Sequence, residues 1–219
     1  MILKRLKINA GIGEDTNCYI VVDETSKEAM VIDPAGKAYE IIDMLNLLQA
    51  KLKYIVITHC HGDHIGGVEE LRAHTGAKVL VHRFDAEGIY NEEINLSYCI
   101  GMPRITLEAD SRLDDGDAIH VGSLEFKIIH TPGHTAGSIC LYNETENLLF
   151  SGDTMFCGTW GRTDLPTGSF EAIIKSITQM LIALPDETIV YPGHRKIYYD
   201  KRRKTNLFRI KTKILGGKI

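Results

Sequence analysis

The chain has 219 residues, 44% hydrophobic and 25% charged, the make-up of an ordinary globular protein with enough chain for a real core. No apolar run approaches the roughly 18 residues that a bilayer span requires. Five cysteines, Cys18, Cys60, Cys99, Cys140 and Cys157, are widely spaced, odd in number and never paired as C-x-x-C, which argues against a disulfide framework and a zinc knuckle. Free thiols in a cytoplasmic compartment are expected. The net charge of −4 is unevenly spread: residues 195–219 hold ten Lys/Arg against the one acid Asp200, whereas 15 basic residues face 28 acidic ones before them. Such a basic segment is either a solvated face or a docking patch for an anionic substrate or RNA.

In chain order, Met1-Ile2-Leu3-Lys4-Arg5-Leu6-Lys7 alternates apolar and basic residues and reads as an edge strand. Residues 17–22 and 28–33 are short apolar runs joined by a polar segment, the pattern of a hairpin. Ile41, Leu45 and Leu48 recur at helical spacing within residues 37–52, which predicts a helix laid on a sheet. A strand at 54–57 then delivers Thr58-His59-Cys60-His61-Gly62-Asp63-His64 at its C-terminal end, where open α/β sheets place their sites. Three imidazoles and a carboxylate within six residues can fold inward around Zn²⁺, Fe²⁺ or Mn²⁺. Three of the chain's nine histidines fall here, too many for a polar loop by chance.

Beyond the motif, Gly66 and Gly67 open a helix and let another backbone or a metal centre come close. Residues 78–82 read as a strand. Residues 92–117 give no regular pattern and are expected near the site mouth. His74, His82 and His120 stand alone and read as surface or packing residues. A strand at 124–130 ends in Thr131-Pro132-Gly133-His134-Thr135, a turn expected to hold His134 toward solvent, with the His130 ring turned into the core. Strands at 138–143 and 147–151 lead into Gly152-Asp153-Thr154. After the glycine-rich loop 160–168, Ser169 is the expected N-cap of a helix whose buried stripe is Phe170, Ile173, Ile177, Met180 and Leu184. Residues 189–191 form the last expected strand, ending in Pro192-Gly193-His194.

Four strand ends, at Ile57, His130, Ser151 and Tyr191, are thus each followed within a few residues by His or Asp. Two metals sharing a bridging carboxylate need about the seven ligands this supplies. One ion is assigned His59, His61 and His134, the other Asp63, His64 and His194, with Asp153 as the bridge.

In this order, the four motifs resemble the metallo-β-lactamase superfamily, and especially its hydroxyacylglutathione hydrolase (glyoxalase II) branch. The resemblance spans nearly the whole chain. It implies an α/β fold, an αββα sandwich of two mixed sheets with helices on the outer faces, with residues 1–219 as one domain and 195–219 as its basic end. It further implies a binuclear metal-dependent hydrolase, with zinc as the expected metal and Fe²⁺ or Mn²⁺ as alternatives, acting on a small anionic thioester such as S-lactoylglutathione. Neither a membrane nor a nucleic acid is expected as partner. Asp153 argues against true β-lactamase activity, since those enzymes usually lack the bridging Asp. Only 25 residues follow His194, so the helical glutathione-binding domain of longer relatives is not expected here. Short relatives often carry Gly-Pro after the last His and Asn-Pro-Phe near the end; Arg195-Lys196 and Asn206-Leu207-Phe208 depart from both.

Two metals would lower the pKa of a shared water toward about 7 and polarise the carbonyl, while Asp63 holds one ion and also orients the nucleophile or passes a proton. Arg162, Arg195 and Lys196 are the candidate contacts for the substrate's anionic end. Gly161-Arg162-Thr163-Asp164 also resembles the persulfide dioxygenase branch, in which His59, His134 and Asp153 would hold a single iron. A nuclease or a lactonase of the same fold and a non-catalytic metal-binding module complete the alternatives.

Overall fold

The computed structural model describes residues 1–10, 13–36 and 38–199. The basic block 201–204 and Asn206-Leu207-Phe208 lie outside them. One mixed sheet holds β1 (Ile2–Asn9), β2 (Asp15–Val22), β3 (Glu28–Ile32), β4 (Lys51–Ile57), β5 (Lys78–His82) and β6 (Ser111–Leu113), adjacent in that order. The first three run antiparallel and the last four parallel. A second sheet holds β7 (Ala118–Val121), β8 (Leu124–His130), β9 (Ile139–Asn143), β10 (Leu148–Gly152), β11 (Ile189–Pro192) and β12 (Tyr198–Tyr199), antiparallel except for β10 with β11. As expected, β1 is an edge.

The parallel pairs need crossovers, and helices supply them. They are α1 (Tyr39–Leu47), α2 (Gly62–Ile65), α3 (Val68–Thr75), α4 (Glu92–Asn95) and α5 (Phe170–Lys175). Three apolar layers result. Between the sheets, Tyr19, Val21, Met30, Ile32 and Val56 meet Phe126, Ile128, Leu141 and Phe150. Outside the first sheet, Ile20, Val31, Ile55, Ile57 and Val79 meet Ile41, Leu45, Val68 and Leu71 from the helices. Outside the second, Cys140, Leu149 and Val190 meet Ile173, Ile177 and Leu181. Strands covered on both faces need apolar residues at consecutive positions, which is why 54–57 and 17–22 read as unbroken runs.

The structure departs from the sequence expectations at several ends. The first helix stops at Leu47, because Gln49 turns the chain with φ +54°, and β4 starts at Lys51. The stripe after Ser169 loses Phe170, which is 52% exposed, and buries Leu181 in place of Met180. The cause is a π turn over Ser176–Met180, whose wider i→i+5 winding shifts the face presented to the sheet. β11 is followed by β12, so 189–191 is not the last strand. Residues 92–117 contain α4, a 3₁₀ turn at Ser97–Ile100 and β6.

Gly66 and Gly67 serve a backbone approach, since a Cβ on Gly67 would meet the carbonyl oxygens of Gly36 and, at 2.8 Å, Pro34. Gly67 also donates its N–H to the Pro34 carbonyl at 2.5 Å. This contact seats the motif helix on the turn after β3. Gly67→Ala is expected to destabilise the fold by about 1–3 kcal/mol through overpacking, measured by chemical denaturation.

Candidate metal centre

The loops after β4, β8, β10 and β11 converge, and the seven residues singled out above meet in one cluster. Ligand atoms of His59, His61 and His134 lie within 4.8 Å of one another, as do those of Asp63, His64 and His194. Asp153 touches both sets: its Oδ1 is 3.5 Å from His64 Nε2, and its Oδ2 is 3.6 Å from His134 Nε2 and 3.5 Å from His194 Nε2. His134 is 3% exposed, which corrects the expectation that its turn faces solvent; the 160–164 loop covers it. His130 is half-buried and stacks on His82 at 3.9 Å between ring centroids, away from the cluster.

What orients the rings lies behind them. Asp33, at φ +53° just past β3, accepts from the Thr58 N–H at 2.8 Å and the Thr58 hydroxyl at 2.7 Å, and its Oδ2 is 2.9 Å from His64 Nδ1. With its proton given to Asp33, the Thr58 hydroxyl is left to accept from His59 Nδ1 at 3.1 Å. His134 Nδ1 donates to the Arg162 carbonyl at 2.7 Å and His194 Nδ1 to the Asp15 carbonyl at 3.0 Å. Each outer partner fixes a proton on Nδ1, so Nε2 is the nitrogen turned inward, and it offers a lone pair wherever the ring is neutral.

The inward nitrogens face one another. His59 Nε2 is 3.2 Å from His134 Nε2, which is 2.9 Å from His61 Nδ1, and His64 Nε2 is 3.2 Å from His194 Nε2. Asp153 Oδ1 is buried with no hydrogen-bond partner. Acceptors packed against acceptors repel unless a cation or proton stands between them. The donor set, imidazole with a few carboxylates, suits divalent transition ions.

The electrostatics fit the same arrangement. Burial pushes the His59 and His61 imidazoles well below their usual pKa, helped by neighbouring histidines, so both are neutral donors to a metal. Burial opposes charge on His64 as well, yet Asp63, Asp153 and Asp33 outweigh it and lift this ring to about 10. His194 is raised for the same reason by Asp153 and Asp63. Burial would raise Asp63, but His64 and His194 hold it well below the usual carboxylate range.

Sequence reasoning missed Asp33, Thr58 and Asp85. The Asp85 carboxylate, 1% exposed, accepts from Cys60 N–H at 2.9 Å, the Thr135 hydroxyl at 2.7 Å and Gly137 N–H at 2.6 Å, tying the His59–His61 turn to the His134 turn. Asp33 was legible only as the end of the run at 28–33, and Asp85 carried no signal at all. Asn17 and Tyr19 fasten the His194 turn, donating to the Pro192 carbonyl at 2.8 and 2.7 Å.

The cluster opens into a cleft of about 870 Å³, lined among others by Asp63, Leu96, Ile100, Phe156, Trp160, Arg162 and Arg195. Both cleft arginines already have acid partners: Arg162 meets Asp164 through two bonds of 2.8 and 2.7 Å, and Arg195 Nε lies 3.5 Å from Glu14. Lys196 is exposed and does not line the cleft.

Residues 11–194 match the model of the metallo-beta-lactamase superfamily, and the chain belongs to that family of metallo-hydrolases. It is 32% identical over 180 residues to the hydroxyacylglutathione hydrolase GloC of Haemophilus influenzae, covering 81% of this chain and 84% of that one. Among solved structures, the BLEG-1 B3 metallo-beta-lactamase superposes with a TM-score of 0.87 at 31% identity, over 95% of this chain and 99% of that one. ETHE1 from Myxococcus xanthus gives 0.78 at 30%, over 94% and 83%. Among the described residues no helix is long and apolar enough to cross a membrane.

Two outcomes are expected. Zinc binding at pH 7.5 should release at least one proton, because His64 holds a proton up to about pH 10 and the ion must displace it; apparent affinity then rises with pH toward 10. Calorimetry in buffers of different ionisation enthalpy measures this. Asp33→Ala, which frees the His64 and His59 rings, should weaken metal binding by roughly 10–100-fold in a competitive chelator titration.

Proposed function

We propose that the protein is a binuclear metal-dependent thioester hydrolase of the hydroxyacylglutathione hydrolase type. The observation that carries the reading is Asp153, whose two oxygens reach toward both histidine sets. His59, His61 and His134 would hold one divalent ion and Asp63, His64 and His194 the other, with Asp153 shared. Such ions, when bound, supply Lewis acidity and an activated water at neutral pH.

The chain's own residues do the rest. Asp63 lines the cleft and has an oxygen 3.1 Å from His194 Nε2, so besides holding its ion it is placed to orient the nucleophile as a hydrogen-bond acceptor. A thiolate leaves readily, and no separate strong acid is required. The neighbouring 160–165 loop lines the cleft beside the centre. Arg195, whose guanidinium also lies 5.2 Å from the Phe156 ring centre, is the cleft cation best placed for the anionic end of a substrate, with Arg162 as second contact and Lys196 outside the cleft wall. Zinc is the expected metal. The likeness to GloC of Haemophilus influenzae supports the thioester class.

Purified protein is expected to hydrolyse S-lactoylglutathione or another small thioester, to lose activity to a chelator and to regain it with Zn²⁺, Mn²⁺ or Fe²⁺. Oxygen uptake with glutathione persulfide on an iron-loaded sample, with thioesters untouched, would instead establish the single-iron reading. Asp63→Asn should keep part of the metal and lose most turnover, and metal analysis beside kcat separates the two effects. Arg195→Ala should raise KM up to roughly tenfold with kcat little changed, because such binding is uniform between ground and transition states, and the effect should shrink in high salt.

A further inference from the structure

The segment 95–100, which carries no sequence motif, forms a wall of the cleft through Leu96, Cys99 and Ile100. It is built rigidly. Asn95, 1% exposed, donates from Nδ2 to the Gly88 and Ile89 carbonyls at 2.9 Å each, and its Oδ1 accepts from Ser97 N–H at 2.9 Å. Ser97 lies so close to the metal-binding motif that a Cβ on Gly62 would stand 2.8 Å from its Cα. Between these two anchors Leu96 is held at φ +59° as the left-handed residue that ends α4, its N–H donating to the Glu92 carbonyl.

The cleft is divided in chemistry. Its charged side chains outside the metal cluster, Glu14, Arg162, Asp164 and Arg195, come from the segments near residue 14, 162–164 and after His194, whereas the 95–100 wall contributes none. Phe156, Trp160 and Leu165 add further apolar surface. We propose that the Leu96–Ile100 wall seats an apolar acyl group of several carbons, while the charged rim takes the anionic carrier. This deepens the thioester reading and rests on it for the identity of the scissile bond.

The test is titration of the zinc-loaded protein with straight-chain carboxylates from acetate to octanoate, followed by the fluorescence of Trp160, the chain's single Trp, which lines the cleft. The dissociation constant is expected to fall roughly twofold to fourfold per added methylene, in line with burial of a CH₂ group. Leu96→Gly and Ile100→Ser should each flatten that dependence. Leu96→Gly is the informative variant, because glycine adopts φ +59° without strain and the fold should keep its melting temperature. A flat series in the parent protein, or a slope that neither variant moves, overturns the proposal. Turnover of thioesters of one carrier thiol, from acetyl to octanoyl, runs alongside. Length-dependent binding with no thioester cleaved sinks the thioester reading and leaves the apolar wall standing; cleavage with no length dependence in either series does the reverse.

Discussion

Five buried imidazoles crowd ring nitrogens against one another at 2.9–3.2 Å, and most of the molecule is arranged to hold them there. In an apolar interior such a cluster is costly, because each ring has surrendered its water and gained a repulsive neighbour. The cost is offset by positive charge at the centre. The carboxylates Asp63, Asp153 and Asp33 favour such charge on the His64 ring. A divalent ion would offset the cost better, since it can be shared by several lone pairs at once. The outer partners, Asp33 through Thr58 and the carbonyls of Asp15 and Arg162, keep the protons on the far side of the rings.

This arrangement explains why the two sheets must pack as they do. Ligands of the β4 loop belong to the first sheet, and those after β8, β10 and β11 belong to the second, so the cluster exists only across the sandwich. Two sets of contacts keep the halves in register at that end. Asp85, following β5, grips the turn after β8, and Asn17 and Tyr19 on β2 grip the turn after β11. The apolar layer containing Tyr19 and Phe150, whose rings lie 5.0 Å apart, continues directly beneath. Hydrophobic burial supplies the bulk of the cohesion, while these few polar contacts set the alignment that metal ligands demand.

At the mouth, the two cleft arginines are each balanced by a carboxylate, so the entrance is polar without a large net field. An anionic substrate would therefore exchange one partner for another, which limits the net gain from either arginine. Selection would then fall more heavily on shape and apolar contact, and that is where the proposed role of Leu96 and Ile100 enters. The relatives at 30–32% identity carry different names, in keeping with one fold hosting several reactions.

The sequence by itself determined the strand ends and the residues gathered there, because period, turn chemistry and ligand spacing are local properties. The runs at 54–57 and 124–130, the His59 to His64 motif, His134, Asp153 and His194 were all legible on that basis. Ser169 as N-cap was legible too, and its hydroxyl accepts from Ala172 N–H at 3.3 Å. Other features depended on partners far along the chain. Asp33 binds His64 across 31 residues, Asp85 reaches Thr135 across 50, and the π turn that exchanges Met180 for Leu181 answers to the sheet beneath it. The burial of His134, the pairing of both arginines and the apolar 95–100 wall were likewise decided by tertiary structure. Each depends on which loops meet above the strand ends, a matter of packing between distant segments that no local pattern records.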